Sequence, residues 1–161
     1  LSDGMLLPTH LVAGALVGTR VRLPMAWIVV GAALPDLIDK PLASLGVVEL
    51  YHTIGHSVAF AVVLSPLAIT SRSGLAVAVG WASHLLLDAL HVVVNGRPTD
   101  ALFLLWPVAV PADPFNLAPI PFARQYLWTP SFLREVGIWL VAGAAVVRYR
   151  RRRSERSCLD R

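Results

Sequence analysis

Five apolar runs, at residues 6–18, 24–34, 58–70, 75–94 and 136–147, alternate with short polar or proline-bearing stretches. They predict five helices, of which only the fourth approaches the roughly 20 residues that cross a hydrocarbon core unaided. The others use flanking polar residues or cross in part. Thr-Arg-Val-Arg-Leu-Pro joins the first two runs, and Ser-Arg-Ser-Gly at 71–74 reads as a tight turn that makes helices 3 and 4 an antiparallel hairpin. Helix 3 is expected to begin near His52 and to kink at Pro66. Helix 5 is expected over 131–150, with Ser131, just after Pro130, as its cap. Residues 95–130 hold seven of the twelve prolines and little periodicity, which predicts an extended, ordered cap rather than a helix. No internal repeat is present. The expected fold is therefore an all-α membrane protein with about five transmembrane or partly inserted helices and an extended irregular cap between helices 4 and 5. One membrane-embedded helical domain spans 1–150, and a basic cytoplasmic tail follows at 151–161.

Composition agrees with this pattern. Hydrophobic side chains make up 56% and charged ones 15% of 161 residues, against roughly 25% charged in an average soluble domain. The one cysteine, Cys158, lies in the basic tail, which excludes a disulfide framework and a cysteine metal site. Residues 1–4 precede Met5 and read as a processing remnant; no charged segment with a cleavable small-residue site precedes the first run, so helix 1 is expected to be retained.

Basic residues near short loops stay on the cytoplasmic side of a membrane. With alternating helices, Arg20, Arg22, Arg72 and the tail arginines fall on one side, ten of the fourteen basic residues. Lys40, Arg97, Arg124 and Arg134 fall on the other, with eight of the ten acidic residues. The chain is thus expected to be a multi-pass protein of the cytoplasmic membrane, with its C-terminus inside and its cap outside. The arginine run of the tail is short and abuts a membrane helix, so it reads as a topology anchor touching anionic lipid, not as a nucleic-acid contact. Tyr126, Trp106 and Trp128 read as interfacial anchors.

Four of the five histidines, His10, His52, His56 and His84, stand with Asp36, Asp39 and Asp88 in this apolar setting. Counted at about 1.5 Å per residue from the cytoplasmic arginines, His10 lies about 15 Å in, His84 about 18 Å, Asp36 about 21 Å, and His56 and Asp88 about 24 Å. Ligand-type side chains from four helices thus share one layer in the outer half of the bilayer. His84 and Asp88 are four residues apart and point the same way on a helix, as would His52 and His56. His91 returns to that face one layer further out, as a further ligand or a support. Asp36 and Asp39 have a plainer alternative, capping a helix start. Buried charge in a membrane is nonetheless functional by default. Nitrogen and carboxylate donors suit a divalent metal, zinc first, or manganese or iron if more carboxylates join.

Thr-His-Leu-Val-Ala-Gly at 9–14, Gly-Ala-Ala-Leu-Pro-Asp-Leu-Ile-Asp-Lys-Pro at 31–41, Gly-His-Ser at 55–57, His-Leu-Leu-Leu-Asp at 84–88 and Phe-Leu-Leu-Trp-Pro at 103–107 are the motifs in order. Over residues 9–107 this series resembles the membrane-bound metal-dependent hydrolases of the DUF457 (YdjM-like) group. The commoner form there has Thr-His-Ser at the third motif and Asp-x-Asp-His at the second. The group is distantly similar to zinc-dependent phospholipase C and P1-type nucleases, helical proteins with clustered metals. The resemblance implies phosphoester hydrolysis, with His56, His84 and Asp88 at one metal, His10 joining Asp88 at a second, and Asp36 as base.

The leading expectation is a membrane-embedded metal-dependent hydrolase of lipid-like phosphoesters. His10, His52, His56, His84 and Asp88 would hold the metal, Asp36 or Asp39 would take the proton of water, and the cap would shape a headgroup pocket. The alternative is a non-enzymatic scaffold or partner-binding protein tied together by a cation. A transporter is disfavoured, because between this layer and Arg72 only Ser65, Thr70 and Ser83 are polar on helices 3 and 4.

Overall fold

The computed structural model describes residues 5–111 and 118–159, with backbone alone at 149, 150 and 152–159. Its elements are α1 (Leu7–Arg20), α2 (Met25–Ser44), a 3-10 turn (Val58–Phe60), α3 (Ala61–Thr70), α4 (Arg72–Val94), a 3-10 segment (Pro98–Leu105), α5 (Pro119–Tyr126) and α6 (Pro130–Leu159). The fold is all-α among the described residues. The span count differs from the expected five: two helices, α4 and the Pro130–Arg148 part of α6, are long and apolar enough to cross a membrane. α1 has 14 residues and α3 has 10, about 21 and 15 Å of helix, well under the roughly 30 Å hydrocarbon core. α2 has 20 residues, but Asp36, Asp39 and Lys40 occupy its second half.

α2 and α4 are the centre of the molecule, with α1 packed on α2, α3 on α4, and α6 on α1. Glycine makes the central contact possible. A Cβ on Gly80 would sit 1.9 Å from the Ile28 carbonyl oxygen, and one on Gly31 would sit 2.0 Å from that of Val77. The two backbones therefore touch, and the side chains that follow, Ala32 and Asp36 on α2 and His84 and Asp88 on α4, are carried within reach of each other. Leu64, Trp81 and Leu85 form an apolar cluster beside this contact, with Leu34, Phe60 and Leu104 against it.

Several local expectations are corrected. α2 runs through Pro35 and Pro41, so Asp36 and Asp39 are mid-helix and not at a helix start. His52 and His56 lie in turns before Val58, not on a helix. The cause is Asp39, whose carboxylate accepts the backbone N–H groups of Thr53, Gly55 and His56 at 2.7, 2.9 and 3.2 Å, holding the chain in a loop. Ser71 alone separates α3 from α4 and caps α4 by accepting from Gly74 N. The 95–130 stretch contains the 3-10 segment and α5, so it is partly helical; its residues 112–117 lie outside the described ones. Thr129, not Ser131, accepts the first-turn amide of α6, that of Phe132. α6 continues to Leu159, so most of the expected tail is helical. Residues 1–4, read as a remnant, and 160–161 lie outside the described residues. Arg72 donates to the Arg22 carbonyl, so the turn before α2 and the turn before α4 share one end of the molecule.

Candidate metal centre

α1 contributes His10, α2 Asp36 and Asp39, the loop before Val58 His52 and His56, and α4 His84 and Asp88. Apart from His52, which is half-buried, all are buried. Each imidazole at the centre is oriented by a bond on its far nitrogen. His56 Nδ1 is 2.7 Å from Asp39 Oδ2, and His84 Nδ1 is 2.7 Å from the Ala32 carbonyl oxygen. Both partners can only accept, so both Nδ1 atoms carry a proton, and in the neutral rings both Nε2 atoms are bare. Those two Nε2 atoms face each other at 3.1 Å. Two lone pairs at that distance repel unless a proton or a cation stands between them.

The carboxylates complete a set of donors that could hold a cation. Asp88 Oδ2 is 3.1 Å from His84 Nε2 and 3.6 Å from His56 Nε2. Donor atoms about 2.0–2.1 Å from a tetrahedral zinc are about 3.4 Å apart, which the His56, His84 and Asp88 triangle matches within a few tenths of an ångström. On the fourth side, Asp36 Oδ1 lies 3.6 Å from His56 Nε2 and 4.0 Å from His84 Nε2, while its Oδ2 pairs with Lys40 Nζ at 2.8 Å. The other oxygen of Asp88, Oδ1, is 3.2 Å from His10 Nε2. Asp88 therefore has one oxygen towards His56 and His84 and one towards His10, the disposition of a carboxylate shared by two sites. His10 stacks on His84 with ring centroids 3.6 Å apart, and its Nδ1 is buried without a hydrogen-bond partner. Buried His/Asp groups able to hold a metal ion are thus present: His10 with His84 and Asp88, Asp36 with His56 and His84, and His52 with His56 and Asp88.

The donors fit a divalent cation of the zinc, manganese or iron kind, being imidazole and carboxylate without sulfur. Asp39 holds no such place. Its oxygens are taken by the three loop amides and His56, so it orients a ligand rather than facing the centre. His52 packs edge-on against His56 at 4.4 Å between centroids, and enclosure, with His56 beside it, pushes it down to about 4, so the ring is neutral at pH 7. His91 belongs to none of these groups; it lines a crevice between α4 and α6 with Met5, Leu90 and Ile138.

Two residues escaped the sequence reading. Tyr126, expected at a membrane interface, is fully buried and donates its hydroxyl to Glu135. Glu135 is 1% exposed and also accepts from Thr9 Oγ1 and Leu6 N. A carboxylate directly before the apolar run at 136–147 was the available signal. Comparisons with protein-family models, with curated proteins and with solved structures gave no match.

Proposed function

We propose that this protein is a membrane-embedded metal-dependent hydrolase of lipid-like phosphoesters. The observation that carries the reading is the pair of Nε2 atoms 3.1 Å apart with Asp88 Oδ2 completing a triangle. Three protein donors with water in the fourth position is the pattern of a catalytic site, whereas four donors close a structural one; Asp36 Oδ1, 3.6 and 4.0 Å from the Nε2 atoms of His56 and His84, is the group on which the distinction turns. His56, His84 and Asp88 would hold the metal, zinc in the first instance, and His10 with the far oxygen of Asp88 would offer a second place. The chemistry a divalent cation would supply there is a bound water with its pKa lowered towards neutrality and a polarised phosphoryl oxygen. Asp36, with Lys40 Nζ 2.8 Å from its other oxygen, would accept the proton of the attacking water as the water oxygen bonds to phosphorus and the P–O bond to the leaving alcohol breaks. Asp39 fixes the His56 ring, and His52 borders the approach from the cap beside Phe103.

A membrane site supports the lipid-like substrate. Val62, Leu67 and Ile69 on α3 and Leu140 and Val141 on α6 are all more than half exposed, a surface that suits hydrocarbon better than water. The arginine asymmetry supports a cytoplasmic C-terminus and a metal layer in the outer half of the bilayer, where groups already in the membrane would reach it. In a Cys158→Ser background, an impermeant thiol reagent on intact cells should label Thr99→Cys and spare Ser154→Cys. The reverse pattern overturns the topology.

Asp36 separates enzyme from scaffold. Asp36→Asn keeps the side-chain shape and removes the base, so the metal should stay while phosphoester hydrolysis falls about 10² to 10⁴-fold. Loss of metal in Asp36→Asn makes it the fourth ligand of a closed site, which favours the alternative, a metal-tied membrane scaffold.

A further inference from the structure

α1 starts without a cap of its own. Leu6 stands at its N-cap with no side-chain hydrogen bond, and no acid lies in its first turn. A helix start leaves amide N–H groups without intrahelical partners, and it favours negative charge. Glu135 supplies what is missing from 129 residues away: its carboxylate accepts Leu6 N at 3.2 Å and the Thr9 hydroxyl. Tyr126 donates to the same carboxylate, and Trp139 Nε1 donates to Thr9 Oγ1 at 2.7 Å. Burial, and then the Glu135 carboxylate itself, push the Tyr126 phenol up, so its proton stays in place to be donated.

The adjoining amide goes the other way. Met5 N donates to Asp88 Oδ1 at 3.3 Å, on the oxygen that faces His10 Nε2 at 3.2 Å. Two consecutive N–H groups are thus divided between two buried acids, one on α4 at the metal centre and one on α6. Where Leu6 is held decides where Met5 points, and the same first turn carries Thr9 and His10.

We propose that Glu135 is a positioning residue that caps α1 from α6 and thereby holds His10 and the Met5 amide in register with Asp88. The hydrogen bonds of Glu135 go to Leu6, Thr9 and Tyr126, none of them a donor of the centre, so its influence on the centre runs through α1. The inference rests on the metal reading above for its second half, and its test separates the two.

In the metal-free protein, amide hydrogen exchange over residues 6–10 should be about fivefold faster in Glu135→Gln and Glu135→Ala, the effect of losing a cap. α2 should be unchanged. Unchanged exchange in α1 overturns the cap, whatever the metal does. With cobalt as the probe, the ligand-field absorption of the folded Glu135→Ala protein should shift and its affinity should fall about tenfold, while Arg134→Gln, one residue away, keeps both. A merely structural role would lower the folded fraction but leave the spectrum of folded protein as in wild type, and that result overturns the positioning role. Tyr126→Phe keeps the carboxylate and removes one donor; it should move both readouts in the same direction by less, and it serves if the Glu135 variants do not fold. A wild type that takes up no cobalt removes the metal reading and with it the positioning half, and leaves exchange to judge the cap.

Discussion

α4 and α6 are the two helices long and apolar enough to cross a membrane, and they are held in the molecule by opposite means. α4 lies backbone to backbone on α2 through Gly80 and Gly31, and it buries Trp81, His84, Leu85 and Asp88. In α6 the buried side chains among the described residues are Glu135 and Ala142; Gly137 and Gly143 have open space around them. The difference follows from what each helix carries. Donor atoms must be fixed to a few tenths of an ångström, and close backbone contact fixes them because neither helix can slide without a clash. α6 carries no donor atom of the centre, so a polar clasp at its N-terminal end is sufficient and its apolar surface is left exposed.

Glycine substitution is the most severe way to break this contrast. Gly80→Val should abolish the fold, read as loss of monodisperse protein in detergent, because its Cβ meets the Ile28 carbonyl at 1.9 Å and not a movable side chain. Gly143→Val on α6, where nothing lies within 4 Å, should leave yield unchanged and stability within about 0.5 kcal/mol. Equal damage from both would show that α6 is packed as tightly as α4. Next in size, His84→Ala or Asp88→Ala should bring bound metal down to trace in elemental analysis of folded, metal-loaded protein. Wild-type stoichiometry in both variants rules out the His56, His84 and Asp88 centre. A smaller effect is expected of Asp39→Asn. It retains the loop in outline but weakens the bond on His56 Nδ1, so metal affinity measured by chelator competition should fall about 10 to 100-fold with full occupancy still reached at saturation. Failure to fill at any metal concentration would make Asp39 a direct ligand.

Much of the candidate centre was legible in the sequence because polar residues in apolar helices are few and their depth is simple arithmetic on helix rise. His10, Asp36, His84 and Asp88 lie on α1, α2 and α4 and come together in the structure, and the four-residue spacing of His84 and Asp88 places both at the cluster. The helical fold class followed from the same runs. What local pattern could not supply was any interaction between distant carboxylates and backbone. The helix expected at His52 is a loop because Asp39, 14 residues before Thr53, takes the amides of Thr53, Gly55 and His56. Tyr126 looked like an anchor because its partner Glu135 is on another helix. The span count erred because apolar composition says that a segment avoids water, not whether it is long enough to cross a bilayer or lies instead against its neighbours. Sequence alone determined which residue types enter the apolar layer, since the cost of burying charge makes each one stand out. The tertiary structure alone decided their roles, because whether a carboxylate faces a metal site, orients a histidine or caps a distant helix depends on distances of a few ångströms between segments that the chain itself does not adjoin.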